Sequence, residues 1–333
     1  MDKITINTKK PYDVLFVEDV FNYLKNEMKD HKYLIISDTN VVKLYEKQIN
    51  GLINQTNGYL YVVNHGEENK NYENYLDIIG YLSQNNFHRN DYIVAFGGGM
   101  IGDLSGFVSS TYLRSIPYIQ IPTTLLSMVD SSVGGKTAIN TPYGKNLIGS
   151  IYQPQAVIID YHFLDTLNKK EISNGMAEII KYGVIKDQNI IDYLNKENID
   201  YSYLVPLCVA IKNEFVSNDE NDQGKRQILN FGHTYGHALE KISDYQISHG
   251  QAVASGMIFE SKISKNKDIV NIIDKLVQKF DLAINDKYDI SSLIDIMLLD
   301  KKNISDKISF VVVKNIGQCE IEQLTIEDIK KIK

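Results

Sequence analysis

Residues 92–110 read Tyr92-Ile93-Val94-Ala95-Phe96-Gly97-Gly98-Gly99-Met100-Ile101-Gly102-Asp103-Leu104-Ser105-Gly106-Phe107-Val108-Ser109-Ser110. The apolar run Tyr92 to Phe96 predicts a buried strand, and Leu104 to Ser110 carries a helical pattern. The glycines between them let a backbone approach a pyrophosphate closely, with the unpaired N–H groups of a helix N-terminus behind it. The spacing fits G-x-G-x-x-G. The ribose-binding acid expected about twenty residues on is missing, because Pro117 to Ile121 carries no carboxylate. A standard dinucleotide half is therefore not expected, and the acids to consider stand at Asp38 and in Gly66-Glu67-Glu68-Asn69-Lys70. The competing reading is a glycine turn that only packs helix on strand.

Outward from this stretch, β-branched and aromatic runs recur at Tyr33 to Ser37, Tyr59 to Val63, Tyr118 to Ile121 and Ala156 to Ile159. Helix-length segments such as Val41 to Asn50 and Tyr72 to Asn86 separate them. Strand alternating with helix predicts an α/β unit with a Rossmann-like parallel sheet covered on both faces. Met1 to Asn7 alternates like an edge strand. After about Thr166 the pattern changes to amphipathic helices: Glu171 to Lys186, Leu204 to Val216, Ala252 to Lys265 and Ser291 to Leu299. Only Ile308 to Val313 reads as a late strand. We expect an α/β domain over 1–165 and an all-α domain over 166–333.

A chain of 333 residues exceeds the size at which one core stops growing, which agrees with two domains. The net charge of −7 argues against a nucleic-acid surface, although a local basic cluster would still bind a small anion. Cys208 and Cys319 are too few for a disulfide framework, and no apolar run approaches a signal or membrane segment. The expected compartment is the cytoplasm.

Pro122-Thr123-Thr124-Leu125-Leu126-Ser127-Met128-Val129-Asp130-Ser131-Ser132-Val133-Gly134-Gly135-Lys136-Thr137 is dense in hydroxyls and glycines around one lysine, and Gly144-Lys145-Asn146 follows. Hydroxyls, bare backbone and a cation together suit phosphate. Further on, Asn230-Phe231-Gly232-His233-Thr234-Tyr235-Gly236-His237 and then Ser248-His249-Gly250 gather three of the seven histidines. His233 and His237 are four apart, so on a helix they share a face, as a common metal ion requires; His249 is a third candidate. Thr234-Tyr235-Gly236 stands where a metalloprotease helix carries its Glu, which argues against peptide cleavage. The remaining histidines, His31, His65, His88 and His162, read as ordinary hydrogen-bonded residues. A carboxylate commonly completes such a site, and Glu178 in Gly175-Met176-Ala177-Glu178-Ile179-Ile180-Lys181 is the best donor, because its apolar flanks leave little polar face. Lys181 lies one turn on, on the same face. Lys212, Asp222, Arg226 and Asn230 precede His233, and Arg226 suits a carboxylate or phosphate.

Taken together and in order, these motifs resemble the 3-dehydroquinate synthase family of sugar-phosphate cyclases. The resemblance runs from about Asp38 past His249, carried by 97–103, 122–124, 130–137, 144–146, 177–181 and 230–237. It implies an NAD-binding α/β domain, a helical metal- and substrate-binding domain and an active site in a cleft between them. It further implies that Glu178, His233 and His249 hold Zn²⁺ or Co²⁺, with His237 turned toward substrate phosphate instead. NAD contacts are implied for Asp38, the Gly66 to Lys70 segment, Gly99, Met100, Ile101, Gly102, Asp103, Thr123, Thr124, Lys136, Lys145, Phe163, Leu164, Asp165 and Thr166. Lys136, Asn146 and His237 would receive phosphate, and Arg114 would reach across a homodimer. Lys212, Arg226 and Asn230 would address a carboxylate, with Asp130 and Lys181 near the hydroxyls and metal and Lys314 a further candidate. The implied reaction converts 3-deoxy-D-arabino-heptulosonate 7-phosphate to 3-dehydroquinate, a lyase step of the shikimate pathway toward chorismate and aromatic amino acids. Ser115, Asp222 and Gln251 depart from the family's usual Gly, Glu and Glu. The alternatives are another sugar-phosphate cyclase, a metal-dependent NAD polyol dehydrogenase, or a non-catalytic NAD-sensing module.

Overall fold

The computed structural model describes residues 3–284, 288–298 and 307–332. The chain forms two compact units: Met1–Asn168 with Val205–Asn221, and Lys169–Leu204 with Asp222–Lys333.

The first unit runs β1 (Lys3–Ile6), β2 (Tyr12–Val17), α1 (Val20–Glu27), β3 (Lys32–Asp38), α2 (Thr39–Ile53), β4 (Asn57–Val63), α3 (Tyr72–Gln84), β5 (Tyr92–Gly97), α4 (Gly99–Thr111), β6 (Tyr118–Pro122), β7 (Lys136–Thr141), β8 (Gly144–Ile151) and β9 (Ala156–Asp160). Seven strands form one sheet in the order β1-β2-β9-β6-β5-β3-β4. All neighbours are parallel except β1, which lies antiparallel along β2 at the edge. Lys3 and Thr5 on that edge strand both bond the Asp13 carboxylate, at 2.8 and 2.6 Å. β3, β5 and β6 are buried almost throughout, as the near-continuous apolar runs of a sheet covered on both faces require. α4 lays Ile101, Leu104, Phe107 and Val108 into one apolar cluster with Leu34, Ile36, Ile93 and Ala95 of the sheet.

The topology fixes where a ligand belongs. From β3 the chain steps outward to β4, then returns to the other side of β3 for β5 and continues through β6 to β9. The direction of winding thus reverses at the β3/β5 pair, and the carboxyl ends of strands at such a reversal open into a crevice. Asp38 ends β3 and Gly97 ends β5, with Ser37 paired to Phe96.

The second unit contains α5 (Lys169–Ile185), α6 (Gln188–Leu194), the start of α7 (Tyr201–Asn218), α8 (His233–Ile242), α9 (His249–Ile263), α10 (Lys267–Lys279), α11 (Ile290–Leu298), β10 (Lys307–Asn315), β11 (Gln318–Thr325) and α12 (Ile326–Lys330). From Val205 onward α7 groups with the first unit. The expected architecture, a parallel α/β sheet followed by a largely helical part, is present. The helix expected over Ser291 to Leu299 is α11; Leu299, like Met1 and Asp2 of the edge strand, lies outside the described residues. The late strand appears as β10, paired with β11 in an antiparallel hairpin. Ala238, Leu239, Ala252, Leu293, Ile294, Met297, Ile308 and Phe310 share the core that joins α8, α9 and α11 to this hairpin.

α9 packs against α5, α8 and α10. Its approach to α8 runs through glycines. A Cβ on Gly256 would overlap the Gly232 carbonyl oxygen, and one on Gly236 would lie 2.9 Å from the Ala252 carbonyl oxygen. Gly232 also has φ 80°, in the left-handed region that glycine tolerates without cost. The two helices therefore meet backbone to backbone.

Candidate active site

α8 begins at His233 and α9 begins at His249, so the close helix pair sets two imidazoles at adjacent helix starts. α5 adds Glu178, only 1% exposed. One ligand atom from each of Glu178, His233 and His249 falls within 4.8 Å of the others. The carboxylate divides its oxygens. Oε1 faces both rings, at 3.5 Å from His233 Nε2 and 3.2 Å from His249 Nε2. Oε2 is held by the Lys181 ammonium, itself 2% exposed, one turn along α5. Burial opposes ionisation of Glu178, but Lys181 and His233 outweigh it and hold the carboxyl well below its usual range.

Each ring is oriented by its other nitrogen. His233 Nδ1 lies 3.1 Å from the Phe231 carbonyl oxygen, and His249 Nδ1 lies 3.7 Å from Glu240 Oε2. Both rings thus turn Nε2 toward the shared Glu178 oxygen, the arrangement in which an outer partner fixes the tautomer of a ligand histidine. Burial lowers the pKa of His233, and the neighbouring Lys181 lowers it further. Burial pulls His249 the same way, but hydrogen bonds to Glu178 and Glu240 push it up to about 10. Two imidazoles and one carboxylate with converging donor atoms match a divalent-metal site of the catalytic, open kind. His237 is not in this cluster. Its ring stands edge-on to His233 with centroids 5.4 Å apart, and it is exposed. The i,i+4 spacing that makes His233 and His237 look like a ligand pair is met instead by His249, brought in by tertiary packing.

In the same unit Arg226 is buried in the turn Lys225–Asn230, and the Asn230 amide donates to the Gln227 carbonyl at 3.0 Å. Asp222 has φ 57°, a left-handed value that Asp adopts more readily than most residues. Gln251 completes a capping box with Ser248 at the start of α9. Glutamine serves that box as well as glutamate does. Lys314 is exposed and ion-paired to Glu320 and Glu322, at 2.9 and 2.6 Å.

In the α/β unit, most segments singled out for a nucleotide follow the carboxyl ends of parallel strands, whereas Lys136 and Lys145 belong to the antiparallel β7/β8 hairpin. Asp38 caps α2 by accepting from the Asn40 and Val41 amides, at 2.8 and 3.1 Å. Gly66 to Lys70 follow β4, Gly99 to Asp103 open α4, Thr123 and Thr124 follow β6, and Phe163 to Thr166 lie in the turn after β9. Gly98, the α4 N-cap, supplies no side-chain capping bond. Lys70 is buried and ties its own segment to the start of α4 and to β8, bonding Glu67 at 2.9 Å, Asp103 at 2.8 Å and Asn146 Oδ1 at 2.7 Å. Burial opposes its charge, but Asp103 and Glu67 prevail and raise its pKa. Lys136 and Lys145 stand at the starts of β7 and β8, Lys136 exposed. Lys212 is buried, with its ammonium 3.0 Å from Asp130 Oδ1. Arg114 lies between Leu113 and Ser115 in a run with φ of 49°, 67° and 109°.

Sequence reasoning passed over two carboxylates, Glu240 and Glu260. Glu260 is 0% exposed on α9, and its Oε2 accepts from the Gly232 amide at 3.0 Å. Burial pushes its pKa up to about 8, against the pull of the Gly232, Tyr235, Val311 and Thr234 amides. The sign that singles out Glu178, an acid within an apolar helix run, was present in Met257-Ile258-Phe259-Glu260 as well.

The N-terminal profile of 3-dehydroquinate synthase matches residues 60–174 and the C-terminal profile matches residues 175–303. A 3-dehydroquinate synthase of Clostridium kluyveri is 38% identical over 349 aligned positions, covering 99% of this chain and 97% of the relative. One of Alkaliphilus metalliredigens is 39% identical over 313 positions, covering 90% and 88%. Among solved structures, 2-deoxy-scyllo-inosose synthase complexed with carbaglucose-6-phosphate, NAD⁺ and Co²⁺ has a TM-score of 0.86 at 24% identity, covering 99% of this chain and 98% of that one. The 2-epi-5-epi-valiolone synthase of Streptomyces hygroscopicus, with NAD⁺ and Zn²⁺ bound, has a TM-score of 0.87 at 22% identity, covering 97% and 96%. These two likenesses are of fold. Two profiles in succession and near-full-length relatives at this identity show that the chain belongs to the 3-dehydroquinate synthase family.

Proposed function

We propose that the chain converts 3-deoxy-D-arabino-heptulosonate 7-phosphate to 3-dehydroquinate and inorganic phosphate, a lyase step of the shikimate pathway. The observation that carries this reading is the cluster of buried Glu178 with half-buried His233 and His249, with Lys181 on the remaining carboxylate oxygen. Glu178, His233 and His249 hold a divalent ion, zinc or cobalt, and the residues beyond the strand ends of the α/β unit hold NAD. When bound, NAD⁺ supplies a hydride acceptor and the ion supplies Lewis acidity toward substrate hydroxyls.

The chain's own residues do the rest. Lys181, next to the cluster, holds positive charge where a substrate hydroxyl loses its proton. Lys136 and Asn146 of the α/β unit, and His237 of the helical unit, recognise phosphate and stabilise it as it leaves. Arg226, Lys212 and Asn230 recognise the carboxylate, for which the planar guanidinium of the buried Arg226 is suited. Asp130 orders Lys212 through their ion pair. The bound cofactor ends each turnover as NAD⁺.

No described helix is long and apolar enough to cross a membrane, and neither Cys208 nor Cys319 is in a disulfide. With that support we place the enzyme in the cytoplasm. We also infer a homodimer, for which β8 offers exposed Leu147, Ile148 and Ile151 beside Tyr143, 90% exposed.

The test is a panel of sugar phosphates, with and without a carboxylate, given to purified protein with NAD⁺ and Zn²⁺. Phosphate release and a cyclic product from the carboxylated heptulosonate alone, with no lasting NADH absorbance, is the expected result. Accumulating NADH without phosphate would mean a polyol dehydrogenase, and turnover of a carboxylate-free sugar phosphate would mean a different cyclase.

A further inference from the structure

Helix α8 starts in an unusual way. The first amides of a helix have no intrahelical acceptor and ordinarily borrow one from a side chain at the N-cap. Here the N-cap is Gly232, which has no side chain, and no side-chain capping bond comes from that position. Glu260 fills the role from the neighbouring helix. Its Oε2 accepts from the Gly232 amide at 3.0 Å, and the amides of Thr234, Tyr235 and Val311 pull against the rise in pKa that burial causes. It is 0% exposed, and among the described residues no lysine or arginine is ion-paired with it. A buried acid reaching across from a second helix is an unusual cap, since a serine or asparagine at the N-cap ordinarily serves.

The cap serves the donor cluster: α8 begins with His233, so the hydrogen bond from the Gly232 amide to Glu260 fixes the backbone on which that imidazole stands. An N-cap side chain is excluded there, because a Cβ on Gly232 would lie 2.6 Å from the Val253 carbonyl oxygen and 2.7 Å from the Met257 side chain.

We propose that Glu260 is a positioning residue for the metal centre, capping α8 from α9 so that His233 keeps its bearing. The inference rests on the metal reading given above.

The test uses full-length protein loaded with Co²⁺, comparing the visible ligand-field spectrum and retention of Co²⁺ against a chelator in wild type, Glu260→Gln and Ile273→Val. Ile273, fully buried on α10, serves as a control for lost stability alone. In Glu260→Gln one oxygen becomes an N–H donor facing other donors. Its Co²⁺ affinity should fall by about 10- to 100-fold, the usual cost of losing an outer-sphere partner, with altered ligand-field bands and unchanged NAD⁺ affinity. Ile273→Val should lower the melting temperature while leaving the spectrum as in wild type. A wild-type spectrum and retention in Glu260→Gln would overturn the role of Glu260 and leave the metal centre standing. Failure of wild type to take up Co²⁺ would overturn the metal reading and this inference with it. Should Glu260→Gln not fold, Glu260→Asp, an acid too short to reach Gly232, carries the same measurement: weakened retention supports the role and wild-type retention overturns it.

Discussion

His233 and His237 sit one helical turn apart, yet only His233 lies in the donor cluster with Glu178 and His249. The roles proposed for them separate by experiment. His233→Ala should lose metal and activity together, whereas His237→Ala should keep its metal and slow the release of phosphate; equal metal content and full turnover in both would refute that division. Metal analysis alongside a phosphate assay reads both. Ser115 allows a second test at this scale. Its φ of 109° and ψ of 134° belong to a region that glycine enters freely and serine does not. Ser115→Gly should therefore stabilise the protein, by about 1 kcal/mol after the greater freedom of glycine in the unfolded chain is subtracted, as read from urea unfolding midpoints. Glu178 was legible in the sequence because apolar neighbours left it no solvated face. The choice of His249 over His237 was not legible from spacing, because it depends on where α9 begins relative to α8.

At the scale of elements, the strands that carry the fold were readable as apolar runs because a parallel sheet buried on both faces admits little else. Tyr33 to Ser37 became β3, Tyr92 to Phe96 became β5, and the helix pattern of Glu171 to Lys186 became α5. The hairpin of β7 and β8 was hidden by its composition. Asn140, Thr141, Pro142, Gly144, Lys145 and Asn146 read as loop, and its pairing is supplied by a partner strand that local pattern does not reveal. β11 was missed for a like reason, its burial being mostly partial or absent. The α8/α9 pair was invisible as a contact, although its glycines were in plain view. Gly256→Ala would drive a methyl group into the Gly232 carbonyl, so the helices must separate. We expect a loss of about 1–3 kcal/mol, the usual cost of overpacking, together with weaker metal binding, both followed by thermal unfolding with and without Zn²⁺.

For the molecule as a whole, the net charge of −7 argues against a nucleic-acid surface. Because the cofactor is restored in each cycle, NAD⁺ below the enzyme concentration should still support many turnovers per NAD⁺; product limited to one equivalent per NAD⁺ would contradict the scheme. Saturating NAD⁺, at about 100 times its dissociation constant, should raise stability by about 2.7 kcal/mol in thermal unfolding. The carboxyl group of Glu178 has a wider consequence. One oxygen faces the imidazoles while the other grips an ammonium, so two guests are served by a single negative charge. Thermodynamic reciprocity then applies: whatever draws Lys181 away alters the hold on the ion by some factor, and losing the ion alters the hold on Lys181 by the same factor.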